Sequence, residues 1–258
     1  SGWYAPATNT HRYAYAGRNF EYFSEDPLLA GAQVAEEIQG AQAKGVYAFI
    51  KHFALNDQET NRTHMLSTWT NEQALREVYL RPFEIGVKQG GAHAVMSAFN
   101  YIGTTYAGAH PELLNTVLRE EWGFQGMVLT DYFAGYGYQN ADQIVRNGGD
   151  FMLATLDIDI AKVNTQSDAG LAQMRRASHN ILYTVANSWM YENGQPEVER
   201  NTWEYITWVV AGALILALVG LEVVALRRYR ARAAAGAESA PPTRDTGEGD
   251  GTRGGGAE

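Results

Sequence analysis

Lys51 and His52 stand side by side at the end of one short apolar run, Phe99 and Asn100 follow a second, and Asp131 closes a third. A carboxylate near cations keeps its charge and can serve as a nucleophile or as an electrostatic stabiliser. Lysine and histidine beside it can donate hydrogen bonds to substrate hydroxyls. Each residue also has a plainer reading. Asp131 suits the cap of the segment that follows it, a lone histidine is most often packed, and a lone lysine is most often solvated. Their arrival at the ends of three separate runs favours a site. The stretch 132–138 adds Tyr132, Phe133, Tyr136 and Tyr138 among glycines. It reads either as a wall for the apolar face of a sugar ring or as a packed surface loop.

The elements that must carry these residues follow from the pattern. Short apolar runs after glycines at 45–50, 92–98, 126–130 and 149–153 read as buried strands. Helix-period stretches lie between them. Asp26-Pro27 opens one that ends before Gly45, and Thr70 with Gln73 forms a capping box before another. His110-Pro111 opens a third that stops before Gly123, a fourth runs over 140–147, and a fifth over 167–188. Alternating strands and helices imply a parallel α/β architecture. In a β/α barrel, the carboxyl ends of the strands are where active sites form.

Composition sets the outer bounds. The chain has 258 residues, 45 % hydrophobic and 12 % aromatic, enough to fill a core. It has no cysteine, which excludes a disulfide scaffold, a thiolate metal site and a cysteine nucleophile. A net charge of −9 gives no basic footprint for nucleic acid. His11, His64, His93, His110 and His179 make no spaced ligand set, so neither a metal nor another cofactor is expected.

The last quarter differs. Residues 204–226 predict a single transmembrane helix, an apolar run in which Glu222 is the only charge from Tyr205 onward. Trp203, Tyr205 and Trp208 mark one interface, and the arginines of 227–232 mark the cytoplasmic side. The organisation expected is thus a globular part over 1–190, a linker over 191–203, the span, and a disordered cytoplasmic tail over 227–258. The globular part would lie outside a cell membrane crossed once.

Four blocks resemble glycoside hydrolase family 3 of the β-glucosidase type. They are GRNFEYFSEDP (17–27), KHFALNDQETNR (51–62), VMSAFN (95–100) and EWGFQGMVLTD (121–131), in the family's order. The resemblance implies the C-terminal half of a (β/α)8 barrel and retaining hydrolysis of terminal β-D-glycosyl residues from a β-glycoside or oligosaccharide. Carried over, Asp131 is the nucleophile, and Arg18, Lys51 and His52 bind hydroxyls of the sugar. Arg62, Met96, Phe99 and Tyr132 match positions around that pocket.

The departures matter too. Phe99 stands where the family usually has tyrosine, and Thr130-Asp131-Tyr132 where it has Ser-Asp-Trp. The KHFPGHG pattern of the N-acetylglucosaminidase branch is absent, which argues against that substrate. The resemblance also implies an upstream half-barrel with a sugar-gripping aspartate, and a second domain with the acid/base glutamate. Neither has a counterpart in this sequence, so a piece of a longer, membrane-anchored enzyme is expected. Within the sequence, Asp57 and Glu59 are the nearest carboxyls for that role, and the family pattern gives it to neither. The alternatives are a membrane-anchored sugar-binding or scaffolding protein without catalysis, and a phosphorylase of the same family.

Overall fold

All four expected strands are present in the computed structural model, which describes residues 1–155, 159–164, 166–194 and 201–238. In chain order the strands are β1 (Gly2–Trp3), β2 (Tyr47–Phe53), β3 (Ser67–Thr68), β4 (Ala94–Ser97), β5 (Tyr101–Ile102), β6 (Thr105–Tyr106), β7 (Met127–Tyr132) and β8 (Phe151–Leu153). One curled sheet has the order β1-β2-β4-β7-β8, with every neighbouring pair parallel. The two-residue β1 gave no period for the sequence reading to detect. A small second sheet, β3-β5-β6, grows from the loops that leave β2 and β4. Gly103 takes φ +62° in the β5–β6 turn, a conformation glycine adopts without strain.

The helices between the strands start where side chains can cap them. They are α1 (Pro27–Gln42), α2 (Glu72–Ala74), α3 (Arg81–Lys88), α4 (Ala141–Arg146), α5 (Asp168–Ala186) and α6 (Trp189–Asn193). Asp26 accepts from the Leu28 and Leu29 amides, Asn140 from Gln143 and Ser167 from Gly170. At α2 the cap is Asn71, which accepts from the Ala74 amide at 2.8 Å, and not Thr70 as the spacing predicted. Asparagine competes for an N-cap at least as well as threonine. The segments Leu75–Tyr79 and Glu112–Glu121 are π-helical, a distinction that amphipathic patterning does not register.

Alternation along the strands divides the core into two faces. Ala48, Ile50, Val95 and Val128 face the helices, where Val34 and Ile38 of α1, Phe83 of α3 and Leu114, Val117 and Leu118 complete one apolar cluster. Phe49, Ala94, Met96, Met127 and Leu129 form a second cluster, against which Ile181 of α5 packs. Between β4 and β7 the backbones approach closely at Gly126. A Cβ there would lie 2.0 Å from the His93 carbonyl oxygen, so only glycine fits without a shift.

The amino ends of the strands are tied by a polar cluster. The Asp150 side chain has no exposed surface. It accepts from Arg119 at 2.7 Å, from the Val128 amide at 2.8 Å and from Asn180 of α5 at 2.9 Å. Thr184 Oγ1 accepts from the Met127 amide and donates to the His93 carbonyl. The last long helix of the unit is thereby fastened to the end of the sheet opposite Asp131.

A second unit begins at Glu197. Among its described residues, the helix α7 spans Thr202–Glu238. The portion Thr202–Arg232 is long and apolar enough to cross a bilayer, and an 18-residue stretch within it has a mean hydropathy of 2.6. Two boundaries differ from the sequence reading. Residues 191–193, expected in the linker, belong to α6. Residues 227–238, expected in the disordered tail, continue α7, because their arginine and alanine content favours helix as well as solvation. The rest of that tail, 239–258, lies outside the described residues.

Candidate active site

Strand ends bring the polar residues of the sequence together. Asp131 is the fifth residue of β7, on the face of Met127 and Leu129. The same alternation sets Lys51 of β2 in line with Tyr47 and Phe49. The β2–β4 register slips by one residue between Ile50 and Phe53, where Lys51 and His52 sit. An N-terminal strap holds this irregular stretch in place. Thr8 donates to the Lys51 carbonyl at 2.6 Å, Lys51 donates to the Pro6 carbonyl at 3.1 Å, and Asn9 bonds both backbone groups of His52.

Three groups address the Asp131 carboxylate directly. The Tyr132 amide donates to Oδ1 at 2.7 Å, and Arg62 Nη1 donates to Oδ2 at 3.2 Å. His52 Nε2 lies 3.5 Å from Oδ2. Burial pushes the Asp131 carboxyl above its ordinary value against the pull of Arg62, the Tyr132 amide, Arg18 and Lys51. Burial, then the nearby Arg18, Lys51 and Arg62, holds His52 well below the usual imidazole range. His52 is therefore neutral, and with its proton on Nε2 it can donate toward Asp131 or toward a ligand oxygen.

Behind this group runs a chain of ion pairs of alternating sign. Arg62 Nε contacts Glu59 Oε2 at 3.0 Å, and Glu59 Oε1 contacts Arg18 Nη1 at 3.3 Å. Arg18 Nε pairs with Glu21, whose other oxygen is 3.2 Å from Lys51 Nζ. Burial alone would raise the Glu21 carboxyl, but Arg18 and Lys51 outweigh it and draw it below its ordinary value. The sequence reading did not single out Glu21. The signal was present in the three-residue spacings Arg18–Glu21 and Glu59–Arg62, which suit a pair within one turn.

Other expected site residues have supporting places. Phe99 is 2 % exposed and lies under the Arg62 guanidinium, whose carbon is 4.7 Å from the ring centroid. Met96 is 3 % exposed and pairs in register with Leu129, forming apolar floor beneath the site. Both were expected around the sugar pocket, and both are as buried as His52 and Asp131. The Tyr132 hydroxyl reaches Thr155 Oγ1 at 3.0 Å, on the strand face opposite Asp131. In the aromatic loop, Phe133 is buried and Tyr138 packs against Tyr101 and Tyr106. Tyr136 is 41 % exposed and meets Phe99 edge-on at 5.6 Å. The loop is mostly packed, with one ring open.

Asp57 is buried, and its Oδ1 has no hydrogen-bond partner among the described residues. Burial pushes its carboxyl up to about 7, with Arg12 pulling the other way. The folded value thus lies above the unfolded one, near 3.9. The folded state holds the extra proton between about pH 4 and pH 7, so this contribution to stability is lost as pH rises through that window. Asp57→Asn is expected to flatten the fall in melting temperature between pH 5 and pH 8. Parallel pH profiles for the two proteins would contradict this.

Comparison with known proteins follows the same residues. The model of the family described as "Glycosyl hydrolase family 3 N terminal domain" matches residues 2–178. A beta-glucosidase of Rhizobium radiobacter is 49 % identical over 132 residues, covering 51 % of this chain and 16 % of the relative. A beta-glucosidase of Kluyveromyces marxianus is 39 % identical over 213 residues, covering 77 % of this chain and 25 % of the relative. The structure of beta-glucosidase 3B from Thermotoga neapolitana in complex with α-D-glucose is 35 % identical. It superposes with a TM-score of 0.68 over 80 % of this chain and 30 % of that one. The chain thus spans a quarter or less of the length of these two curated relatives.

Proposed function

The chain belongs to glycosyl hydrolase family 3, and from that premise we propose that it forms part of a retaining β-glucosidase with Asp131 as nucleophile. The observation that carries the proposal is the Asp131 carboxylate, held at a strand end by Arg62 and the Tyr132 amide with His52 Nε2 beside it. Asp131 attacks the anomeric carbon, and the bond to the leaving oxygen breaks with its electron pair. Water then attacks the same carbon and gives its proton to a second carboxyl, and the Asp131 carboxylate leaves with the electrons of the ester bond. Arg18, Lys51 and His52 hold hydroxyls of the sugar, a reading supported by His52 lying 3.5 Å from Asp131 and by the ion pairs that join Lys51 and Arg18 to Arg62 through Glu21 and Glu59.

Proton delivery to the leaving oxygen needs a second carboxyl. Glu59 is committed to two guanidinium groups, and Asp57 is buried. The proposal therefore assigns that role to a carboxyl outside the matched residues. The length of the relatives supports this, because most of each lies beyond the match. Thr202–Arg232 is proposed to anchor the enzyme in a cell membrane. Its hydropathy, the tryptophans at its start and the arginines at its end support that reading, with the C-terminus cytoplasmic.

Mechanism-based trapping tests the assignment. A 2-deoxy-2-fluoro-β-glucoside with a dinitrophenolate leaving group needs no proton donor to react, because the phenolate leaves unaided. The full-length enzyme is expected to accumulate one sugar adduct, on the peptide that contains Asp131. An adduct on another carboxylate, or turnover with no adduct, would reject the nucleophile.

A further inference from the structure

We infer that Glu59 is a positioning residue for the nucleophile, dividing Arg62 so that one guanidinium nitrogen serves Asp131 and another does not. The inference rests on Asp131 being the nucleophile.

The geometry carries it. Arg62 offers Nη1 to Asp131 Oδ2 and Nε to Glu59 Oε2. Guanidinium groups favour two parallel hydrogen bonds to a single carboxylate. A guanidinium free to turn would pair in this way with Asp131, add a further bond to the two its oxygens already accept, and tighten the ion pair around the nucleophile. Glu59 limits this by holding Nε through Oε2, which sets the turn of the guanidinium and leaves Nη1 toward Asp131 Oδ2, while Phe99 supports its face from below. The second oxygen of Glu59 fixes Arg18, so a single carboxylate orients both a nucleophile partner and a sugar-binding cation.

The charge sequence gives the arrangement a direction. Lys51, Arg18 and Arg62 are balanced by Glu21, Glu59 and Asp131. Formation of the glycosyl ester neutralises Asp131 and leaves the chain one positive charge in excess. That excess favours return of the carboxylate when water attacks, because the departing group regains its negative charge beside Arg62. Glu59 therefore moderates the cationic field in the first step and leaves enough of it for the second. The groups facing Asp131 that bear on its titration are Arg62, Arg18, Lys51 and His52, with the buried hydroxyls of Tyr106 and Tyr138 also within its field.

Glu59→Gln in the full-length enzyme separates positioning from mere support. Removing one negative charge a guanidinium away from Asp131 is expected to move the acidic limb of kcat/KM about one pH unit toward acid. At pH 7 kcat/KM for an aryl β-glucoside is expected to fall about tenfold, as the nucleophile loses basicity and gains a second bond to Arg62. Reactivation of the trapped 2-fluoroglucosyl enzyme is expected to be as fast as in the wild type or faster. Glu59→Asp keeps the charge and is expected to keep the acidic limb where the wild type has it. A uniform loss in both steps with an unmoved limb would overturn the inference. An adduct formed away from Asp131 would instead reject the nucleophile itself, so the two failures are distinguishable.

Discussion

Asp131→Ala in the full-length enzyme is expected to lower kcat for an aryl β-glucoside by at least about 10⁴-fold, the scale on which loss of a catalytic nucleophile acts. Retaining chemistry has no route around the missing covalent bond. Folding is expected to survive, because burial already works against this carboxyl and its removal relieves that cost. The truncation leaves a small gap beside Arg62 and His52. Azide fits such a gap and can attack the anomeric carbon from the vacated side. With dinitrophenyl β-glucoside, azide should therefore restore turnover and yield the α-glucosyl azide. Activity near that of the wild type, or a β-configured azide product, would show that Asp131 does not attack.

The largest effect on stability is expected at the other end of the sheet. Asp150→Ala removes a side chain with no exposed surface and strands Arg119, the Val128 amide and Asn180. Breaking one partner of a buried pair costs about 3–5 kcal/mol, because the remaining charge keeps its desolvation cost without its counterion. For a unit of this size that corresponds to a drop in melting temperature of about 10 °C. Burial pushes the Asp150 carboxyl up against the pull of Arg119, the Val128 amide and Asn180, and these three N–H donors leave its proton no acceptor, so the cluster suits the carboxylate. Urea midpoints of the variant and wild type measure the difference. A change below about 1 kcal/mol would mean that water accepts from the donors the carboxylate leaves behind.

The residues that the sequence made legible are those with a local signature. Glycines before β2, β7 and β8 announced the strands, and Asp26, Asn140 and Ser167 announced the helices they cap. Asp131, Lys51 and His52 were readable because each closes an apolar run. What stayed hidden is non-local or too short to have a period. Neither β1 nor the small sheet contains a strand longer than two residues. The partnership of Glu59 with Arg18 joins residues 41 positions apart, and that of Arg62 with Asp131 joins residues 69 apart. Phe99 reads as a lost tyrosine in the sequence, whereas in the fold it is the surface on which Arg62 rests.

Among the described residues, β1 and β8 are each hydrogen-bonded along one side only. The curled sheet thus has two seams, both presenting backbone donors and acceptors in parallel orientation. Any companion that closes the barrel must engage both seams, so neither can be satisfied by adding a single strand at one side. That requirement makes the unit suited to complementation.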